Sequence, residues 1–293
     1  MSPDRGRRRP SLQKGIVILP STFTLGNLFF GFYAMVAASR GDLVWAGWFI
    51  IFAGTLDMLD GRIARLTRTG SRFGAELDSL VDAISFGVAP AFIMFELFFD
   101  DGSWSWIVAF VYVTAVVTRL ARFNVEDAGE GKRYFHGLPS PSAGMLLASF
   151  YPFSQTAFFG TYLSDLPWAQ IAAVSMVLLG ILLVSHVPYA KVPRIGLRSA
   201  RGLVNTAVVL GALFLALSVP RYYFFSALLL YITWGLVKSV LLGLLDRLPG
   251  DDPLAEEEDD DGGDRAEVRE LDYSELGPRT TRRPSPEPLE EST

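Results

Sequence analysis

Apolar runs separated by short polar segments fill most of this 293-residue chain. Eight of the runs approach the roughly 20 residues that an α-helix needs to cross a bilayer. They cover residues 16–38, 43–59, 77–99, 104–121, 141–163, 168–187, 203–219 and 222–245. The pattern predicts an all-α fold, a polytopic transmembrane helix bundle with eight spans.

Polar segments divide the chain into three parts. Residues 1–15 are basic, residues 16–248 contain the apolar runs, and residues 249–293 are rich in Asp, Glu, Pro and Gly. The last composition does not supply enough apolar surface for a core, so we expect a disordered acidic tail. Because no small-residue cleavage site cleanly follows the first run, we expect that run to remain as a membrane anchor.

Charge is distributed very unevenly between these parts. Residues 251–293 carry 16 acidic and 5 basic residues of the 31 and 26 in the whole chain, which leaves 15 and 21 for residues 1–250. The membrane body is therefore basic, and the overall net charge of -5 reflects the tail. A membrane body with an acidic tail argues against nucleic acid as a partner.

Lysine and arginine in the short loops predict the orientation of the bundle. If the N-terminus is cytoplasmic, the opposite side of the membrane keeps only Arg40 and Arg221. Cytoplasmic loops are enriched in these two residue types. We therefore expect a multi-pass protein of the cell membrane with both termini in the cytoplasm.

The residue types that are missing restrict the chemistry. The chain has no cysteine and two histidines, His136 and His186. Disulfides, thiolate catalysis and Cys- or His-rich zinc sites are thereby excluded. Any bound metal must be held by oxygen atoms.

Four aspartates lie near the cytoplasmic ends of the second and third predicted spans. They are Asp57, Asp60, Asp78 and Asp82. An intramembrane carboxylate costs ~2.5–3.5 kcal/mol on insertion scales and usually marks a functional site. Residues three or four apart share a helix face, so the aspartates form two stripes that can face each other across a hairpin. The alternative interpretation is that the aspartates lie at a solvated helix end, with their charges in water.

Converging carboxylates repel one another unless a cation neutralises them. All-oxygen ligation suits Mg²⁺, Mn²⁺ or Ca²⁺, and Mg²⁺ is commonly shared between carboxylates and substrate phosphates. Small residues on the acidic stripe, Gly61 and Ala64, leave room for a nucleotide, and Arg65 can contact phosphate. The pattern thus indicates a phosphate-bearing ligand at a cytoplasmic site.

The aspartates belong to a longer motif, D-x2-D-G-x2-A-R-x8-G-x3-D-x3-D. It is complete at Asp57, Asp60, Gly61, Ala64, Arg65, Gly74, Asp78 and Asp82. This motif resembles that of the CDP-alcohol phosphotransferases. The resemblance implies a helical membrane enzyme, usually a homodimer, that uses a divalent metal to displace CMP from a CDP-linked donor.

The resemblance also implies roles for the motif residues. Asp57, Asp60 and Asp78 correspond to metal ligands, and Asp82 corresponds to the catalytic base that also touches metal. The expected CDP-binding residues are Asp57, Asp60, Gly61, Ala64, Arg65 and Gly74. Mg²⁺ or Mn²⁺ is the expected cofactor, with Ca²⁺ as the alternative.

Further stretches resemble the phosphatidylserine synthase branch of that family. They lie at residues 24–31, 85–90, 119–124 and 135–143. This similarity implies CDP-diacylglycerol as donor and L-serine as acceptor. Arg119, Arg122 and Asn27 are the expected acceptor-binding residues, because a carboxylate-bearing acceptor needs a cation.

Other interpretations stay open at these positions. The two arginines fit positive-inside anchors, and Asn27 fits a hydrogen bond between helices. Glycerol 3-phosphate or an inositol phosphate as acceptor, or an archaeal ether lipid as donor, would use the same chemistry. A cation-binding transporter is the alternative from another class, although its site is expected near the midplane and not at the cytoplasmic edge.

Overall fold

The computed structural model describes the apolar body of the chain. The described residues are 11–67, 72–99, 106–128, 137–185, 187, 189 and 200–245. The chain divides into two units, residues 1–245 and residues 246–293. The second unit, which contains the whole predicted tail 249–293, lies outside the described residues, as do residues 1–10 of the basic N-terminus.

The described residues form α-helices and one π-helical segment, with no strand among them, which confirms the all-α prediction. The helices are α1 (Ser11–Ser39), α2 (Leu43–Thr67), α3 (Arg72–Asp82), α4 (Ala89–Phe98), α5 (Trp106–Ala128), α6 (Ser140–Ser154), α7 (Ala157–Tyr162), α8 (Trp168–Val184), α9 (Ala200–Ser218) and α10 (Pro220–Leu245). The π-helical segment, Ala83–Val88, joins α3 to α4 in one continuous rod.

Within the described residues, five helical stretches are long and apolar enough to cross a membrane. They are Thr22–Ser39, Leu43–Ile63, Phe73–Phe98, Trp106–Val125 and Pro220–Leu241. Trp168–Val184 and Gly202–Ser218 are shorter apolar helices. Many large apolar side chains, such as Phe214 on α9, point outward, as expected where lipid tails are the solvent.

Several predicted spans differ from the helices in the structure; the fourth, for example, was predicted as 104–121 and corresponds to α5, which ends at Ala128. The second, predicted as 43–59, continues as α2 to Thr67, so Asp60 lies within a helix and not at its end. The fifth, predicted as 141–163, is broken into α6 and α7, because the Thr156 hydroxyl accepts a hydrogen bond from the Phe159 amide and starts a new helix. At 15 residues, α6 is roughly 22 Å long and shorter than a typical bilayer core.

Helix α6 lies at the centre of the bundle, where it packs against α2, α4, α8, α10 and the π-helical segment. Small residues allow its closest approaches: a side chain on Gly144 would collide with the backbone of Phe86. Likewise, a side chain on Gly47 of α2 would collide with the Ala148 carbonyl. Close backbone contact through small residues is how membrane helices associate without a hydrophobic driving force.

The π-helical segment has an identifiable cause. Pro90 has no backbone N–H, so the carbonyl four residues earlier, that of Phe86, loses its helical donor. The Tyr112 hydroxyl of α5 donates a 2.9 Å hydrogen bond to that carbonyl, and Tyr112 is fully buried. The Ala89 amide donates its hydrogen bond to the Ile84 carbonyl, which lies five residues earlier, as in a π-helix. Such π-helical turns often occur beside functional sites, and this one directly follows Asp82.

Candidate active site

Three aspartates converge where α2 and α3 face each other. Ligand oxygens of Asp57, Asp78 and Asp82 all lie within 4.8 Å of one another. Asp82 is buried with 8 % of its surface exposed, and the other two are half-buried. The two stripes predicted from the spacing therefore do meet, and mutual repulsion between their carboxylates favours a bound cation.

Asp60 lies beside this cluster with partners of its own. Its Oδ2 accepts a hydrogen bond from the Thr24 hydroxyl of α1. It also interacts electrostatically with Asp57 and Asp78, and it is 6 % exposed. Asp60 is thus close to Asp57 and Asp78, and one of its two oxygens is occupied by protein.

The donor set fits a divalent cation. Oδ1 of Asp60 and Oδ1 of Asp78 are buried without a hydrogen-bond partner among the described residues. A buried carboxylate oxygen without a partner is costly unless a ligand satisfies it. All the grouped ligands are carboxylate oxygens, which suits Mg²⁺ or Mn²⁺.

One face of α1 supports the aspartates from the side. Thr24 and Asn27 are both buried and lie three residues apart, so they point to the same neighbour. Asn27 Nδ2 donates to Asp82 Oδ1 at 3.3 Å, and the Asn27 carbonyl accepts a 3.2 Å bond from the Ser85 hydroxyl. Gly31, four residues on, lies against Ser85 so closely that a side chain there would overlap it. This stripe aligns α1 with both acidic helices.

Arg119 brings positive charge to Asp82. The two side chains interact electrostatically across α5 and α3. Arg119 Nη1 donates a 3.1 Å hydrogen bond to the hydroxyl of Ser140, which is 1 % exposed at the start of α6. Arg119 therefore occupies the edge of the carboxylate cluster with its guanidinium oriented by Ser140.

Arg122 has a different position from Arg119. Its Nη1 donates to the Val184 carbonyl, 3.2 Å away at the end of α8. A cation beside the last carbonyls of a helix stabilises the helix end. The structure therefore brings Arg119 to the aspartates and gives Arg122 a contact that joins α5 to α8.

Asn124 ties the acidic helix to α5. Ser79 donates to Asn124 Oδ1 at 2.8 Å, and Asn124 Nδ2 donates to Glu76 Oε2 at 2.9 Å. Both partners lie on α3, on either side of Asp78 in the sequence. This bridge holds the α3 aspartates against the helix that carries Arg119.

The remaining motif residues lie on the same two helices. Gly61 is exposed on α2, next to Asp60, and Gly74 is half-buried near the start of α3. Ala64 and Arg65 are helical residues of α2, but their side chains lie outside the described part of the chain. The predicted CDP-binding roles of these four residues stay predictions.

Several residues that contact the site were not singled out from the sequence. Thr24 had a usable signal, because it is one helical turn from Asn27. Ser140 lies in the stretch 135–143 that carries the resemblance, but no role was predicted for it. Tyr189 and Tyr231 had no signal, since they interact with Arg119 or with one another across large sequence separations. Their approach depends on how α6, α8 and α10 pack.

Comparison with known proteins identifies the family of this chain. A family model described as CDP-alcohol phosphatidyltransferase matches residues 17–240. The chain belongs to this family. The enzyme class follows from the family, and the five long apolar helices among the described residues indicate an integral membrane protein.

Relatives of this CDP-alcohol phosphatidyltransferase come from bacteria, archaea and yeast. A Helicobacter pylori protein is 35% identical over 187 residues, which cover 61% of this chain and 75% of the relative. A Methanocaldococcus jannaschii protein is 30% identical over 227 residues, covering 77% and 96%. A Saccharomyces cerevisiae protein is 43% identical over 133 residues, covering 41% and 48%. All three relatives are named CDP-diacylglycerol–serine O-phosphatidyltransferase.

Proposed function

We infer that this chain is a CDP-diacylglycerol–serine O-phosphatidyltransferase, which transfers a phosphatidyl group to the hydroxyl of L-serine in phospholipid biosynthesis. The observation that carries the inference is the grouping of Asp57, Asp78 and Asp82, with Arg119 beside Asp82. The carboxylates of this cluster can hold a metal that binds the pyrophosphate of the donor, and one of them can act as a base. The adjoining guanidinium of Arg119 suits an acceptor that carries a carboxylate. The names of the relatives agree with this acceptor.

The metal site consists of Asp57, Asp60, Asp78 and Asp82. The unpartnered buried oxygens of Asp60 and Asp78 support this assignment. A bound Mg²⁺ or Mn²⁺ would supply neutralisation of the carboxylates and polarisation of the donor phosphates.

The donor is expected to lie with its acyl chains in the bilayer and its nucleotide along the exposed end of α2. Gly61 leaves the helix backbone accessible there, and Arg65 supplies a planar cation for phosphate. Gly74 and Ala64 complete the CDP-binding surface. Since Asp57 and Asp60 lie on the same helix as Gly61, Ala64 and Arg65, the nucleotide phosphates are brought to the carboxylates.

Asp82 is the proposed catalytic base. It accepts the proton of the serine hydroxyl as the serine oxygen bonds to the lipid-bearing phosphorus. The bond from that phosphorus to the oxygen of the CMP phosphate breaks, and CMP leaves. Asn27 holds Asp82 in place through its amide, and the protein forms no covalent intermediate in this scheme.

The acceptor site is proposed to include Arg119 and Asn27, while Arg122 is proposed to hold α5 against α8 beside the site. Arg119 interacts with the proposed base and is oriented by Ser140, so a group bound there lies close to Asp82. An amino acid that carries a hydroxyl and a carboxylate a few bonds apart fits this pair of side chains. We also propose that the protein is a homodimer and that both termini and the active site lie on the cytoplasmic face of the membrane.

Labelled serine tests the assignment directly. Purified protein with CDP-diacylglycerol, Mn²⁺ and labelled L-serine is expected to yield labelled phosphatidylserine and equimolar CMP, and EDTA is expected to abolish both. Parallel reactions with glycerol 3-phosphate and with inositol phosphate test the other acceptors. A label that enters lipid from one of these acceptors and not from serine would contradict the serine assignment and retain the family chemistry.

A further inference from the structure

Two buried hydrogen-bond donors, on side chains that both interact with Tyr231, have no partner among the described residues. They are Nε of Arg119 and the hydroxyl of Tyr189. Buried donors are nearly always satisfied, so each unsatisfied one calls for an explanation. Because both side chains interact with Tyr231, and Arg119 also interacts with the proposed base Asp82, one acidic ligand bound beside Tyr231 would satisfy both donors.

Tyr231 connects these two side chains. It interacts electrostatically with Arg119, and its ring centroid lies 5.7 Å from that of Tyr189. Gly235, one helical turn further along α10, is buried directly under the Tyr189 ring, where a methyl group would overlap the ring. Tyr189 is therefore held against α10, next to the residue that contacts Arg119.

Backbone hydrogen bonds position the segment that carries Tyr189. The Gly137 amide donates to the Val187 carbonyl at 3.0 Å, and the Leu138 amide donates to the Leu182 carbonyl at 3.1 Å. Gly137 has a φ of +90°, and a side chain there would also meet the carbonyls at the end of α8. Residues 137 and 138 are thus joined to the segment after α8 that carries Tyr189. They directly precede α6, where Ser140 binds Arg119.

Tyr189 stays protonated under physiological conditions. Burial, reinforced by the neighbouring Tyr231, raises the pKa of Tyr189 to about 12. Its hydroxyl is therefore available as a hydrogen-bond donor. A neutral donor beside a guanidinium complements an anion with two oxygens, since each oxygen can take one of the two hydrogens.

We propose that Tyr189 is an acceptor-binding residue whose hydroxyl donates to the carboxylate of the acceptor amino acid, alongside Nε of Arg119. This inference rests on the proposed function and names the groups that recognise the carboxylate of the acceptor. The acceptor hydroxyl is then directed to Asp82, with which Arg119 interacts. Amino alcohols without a carboxylate leave both donors unsatisfied and are discriminated against for that reason.

The test removes a single oxygen atom. Tyr189→Phe keeps the ring on Gly235 and deletes the donor, and Tyr223→Phe is the matched control, at a half-buried tyrosine near the start of α10. Steady-state kinetics are measured with L-serine and with ethanolamine, which has the hydroxyl and the amine but no carboxylate. Tyr189→Phe is expected to raise the KM for L-serine roughly ten- to a hundredfold, as for a lost hydrogen bond to a charged group.

The KM for CDP-diacylglycerol and the kcat/KM for ethanolamine are expected to stay at the parent values, and Tyr223→Phe is expected to match the parent throughout. Gly235→Ala is expected to show the same selective loss for L-serine, because its methyl group displaces the Tyr189 ring. An unchanged KM for L-serine, or equal losses with both acceptors, would overturn the role of Tyr189 while leaving the serine transferase intact. A parent protein that makes no phosphatidylserine would overturn the proposed function and this inference together.

Discussion

Replacing Asn27 by Leu tests whether α1 holds the catalytic base. Asn27 is fully buried, and its Nδ2 donates to Asp82 Oδ1 at 3.3 Å. Leucine has a similar size and keeps the backbone carbonyl that accepts from Ser85. The substitution therefore removes one hydrogen bond to the base and leaves the packing of α1 nearly unchanged.

The geometry of the bond sets the expected loss. A hydrogen bond to a charged group contributes ~1.5–3 kcal/mol. Because 3.3 Å lies just beyond the usual donor–acceptor range, the lower value applies. At about 1.4 kcal/mol per decade, ~1.5 kcal/mol corresponds to roughly a tenfold fall in kcat.

The assay is CMP release by purified protein in detergent with saturating donor and serine. Phe29→Leu is the control, since Phe29 lies on the same helix with 60 % of its surface exposed. The KM for CDP-diacylglycerol is expected to stay constant in both variants. A kcat equal to that of the parent would refute the positioning of Asp82 by Asn27, and a fall that appears entirely in the donor KM would assign Asn27 to donor binding instead.

Three further predictions concern the metal, the acceptor and the core. Asp78→Asn is expected to abolish CMP release and to weaken Mn²⁺ binding measured by electron paramagnetic resonance, because an amide replaces a charged ligand; unchanged Mn²⁺ affinity would contradict the metal site. Arg119→Gln is expected to raise the serine KM roughly ten- to a hundredfold. Arg122→Gln is expected to leave the serine KM near the parent value and to lower thermal stability. A serine KM raised by Arg122→Gln and not by Arg119→Gln would exchange their roles. Tyr112→Phe is expected to destabilise the protein by ~1–3 kcal/mol in thermal unfolding, since a buried carbonyl loses its donor. Adding Pro90→Ala restores a backbone N–H and is expected to recover part of that loss; a double variant no more stable than the single one would count against this explanation of the π-helical segment.

Local spacing along the chain was enough to predict the helices and the acidic stripes. Apolar runs near the length of a bilayer predicted the helical membrane bundle, and the chain is helical at each of the eight runs. Asp57 and Asp60 share a face of α2, and Asp78 and Asp82 share a face of α3, as their spacing requires. These properties depend on backbone geometry within one segment, so they can be read without knowledge of the rest of the molecule.

Helix boundaries were less predictable, because they depend on single hydrogen bonds. Hydropathy alone treats residues 141–163 as one run, whereas the Thr156 hydroxyl begins a separate helix within it. The π-helical segment also needed tertiary structure. Pro90 predicts a missing donor, but Tyr112, whose hydroxyl replaces it, lies on a different helix.

The neighbours of the aspartates were decided by tertiary structure alone. Asn27 and Asp82 are 55 positions apart, and Arg119 and Ser140 are 21 apart. Helical periodicity shows which residues share a face but contains no information on which face of another helix it meets or at what register. That pairing depends on close contacts between small residues throughout the bundle, so the sequence by itself determined the reactive groups, and the packing of the helices determined which groups hold them in place.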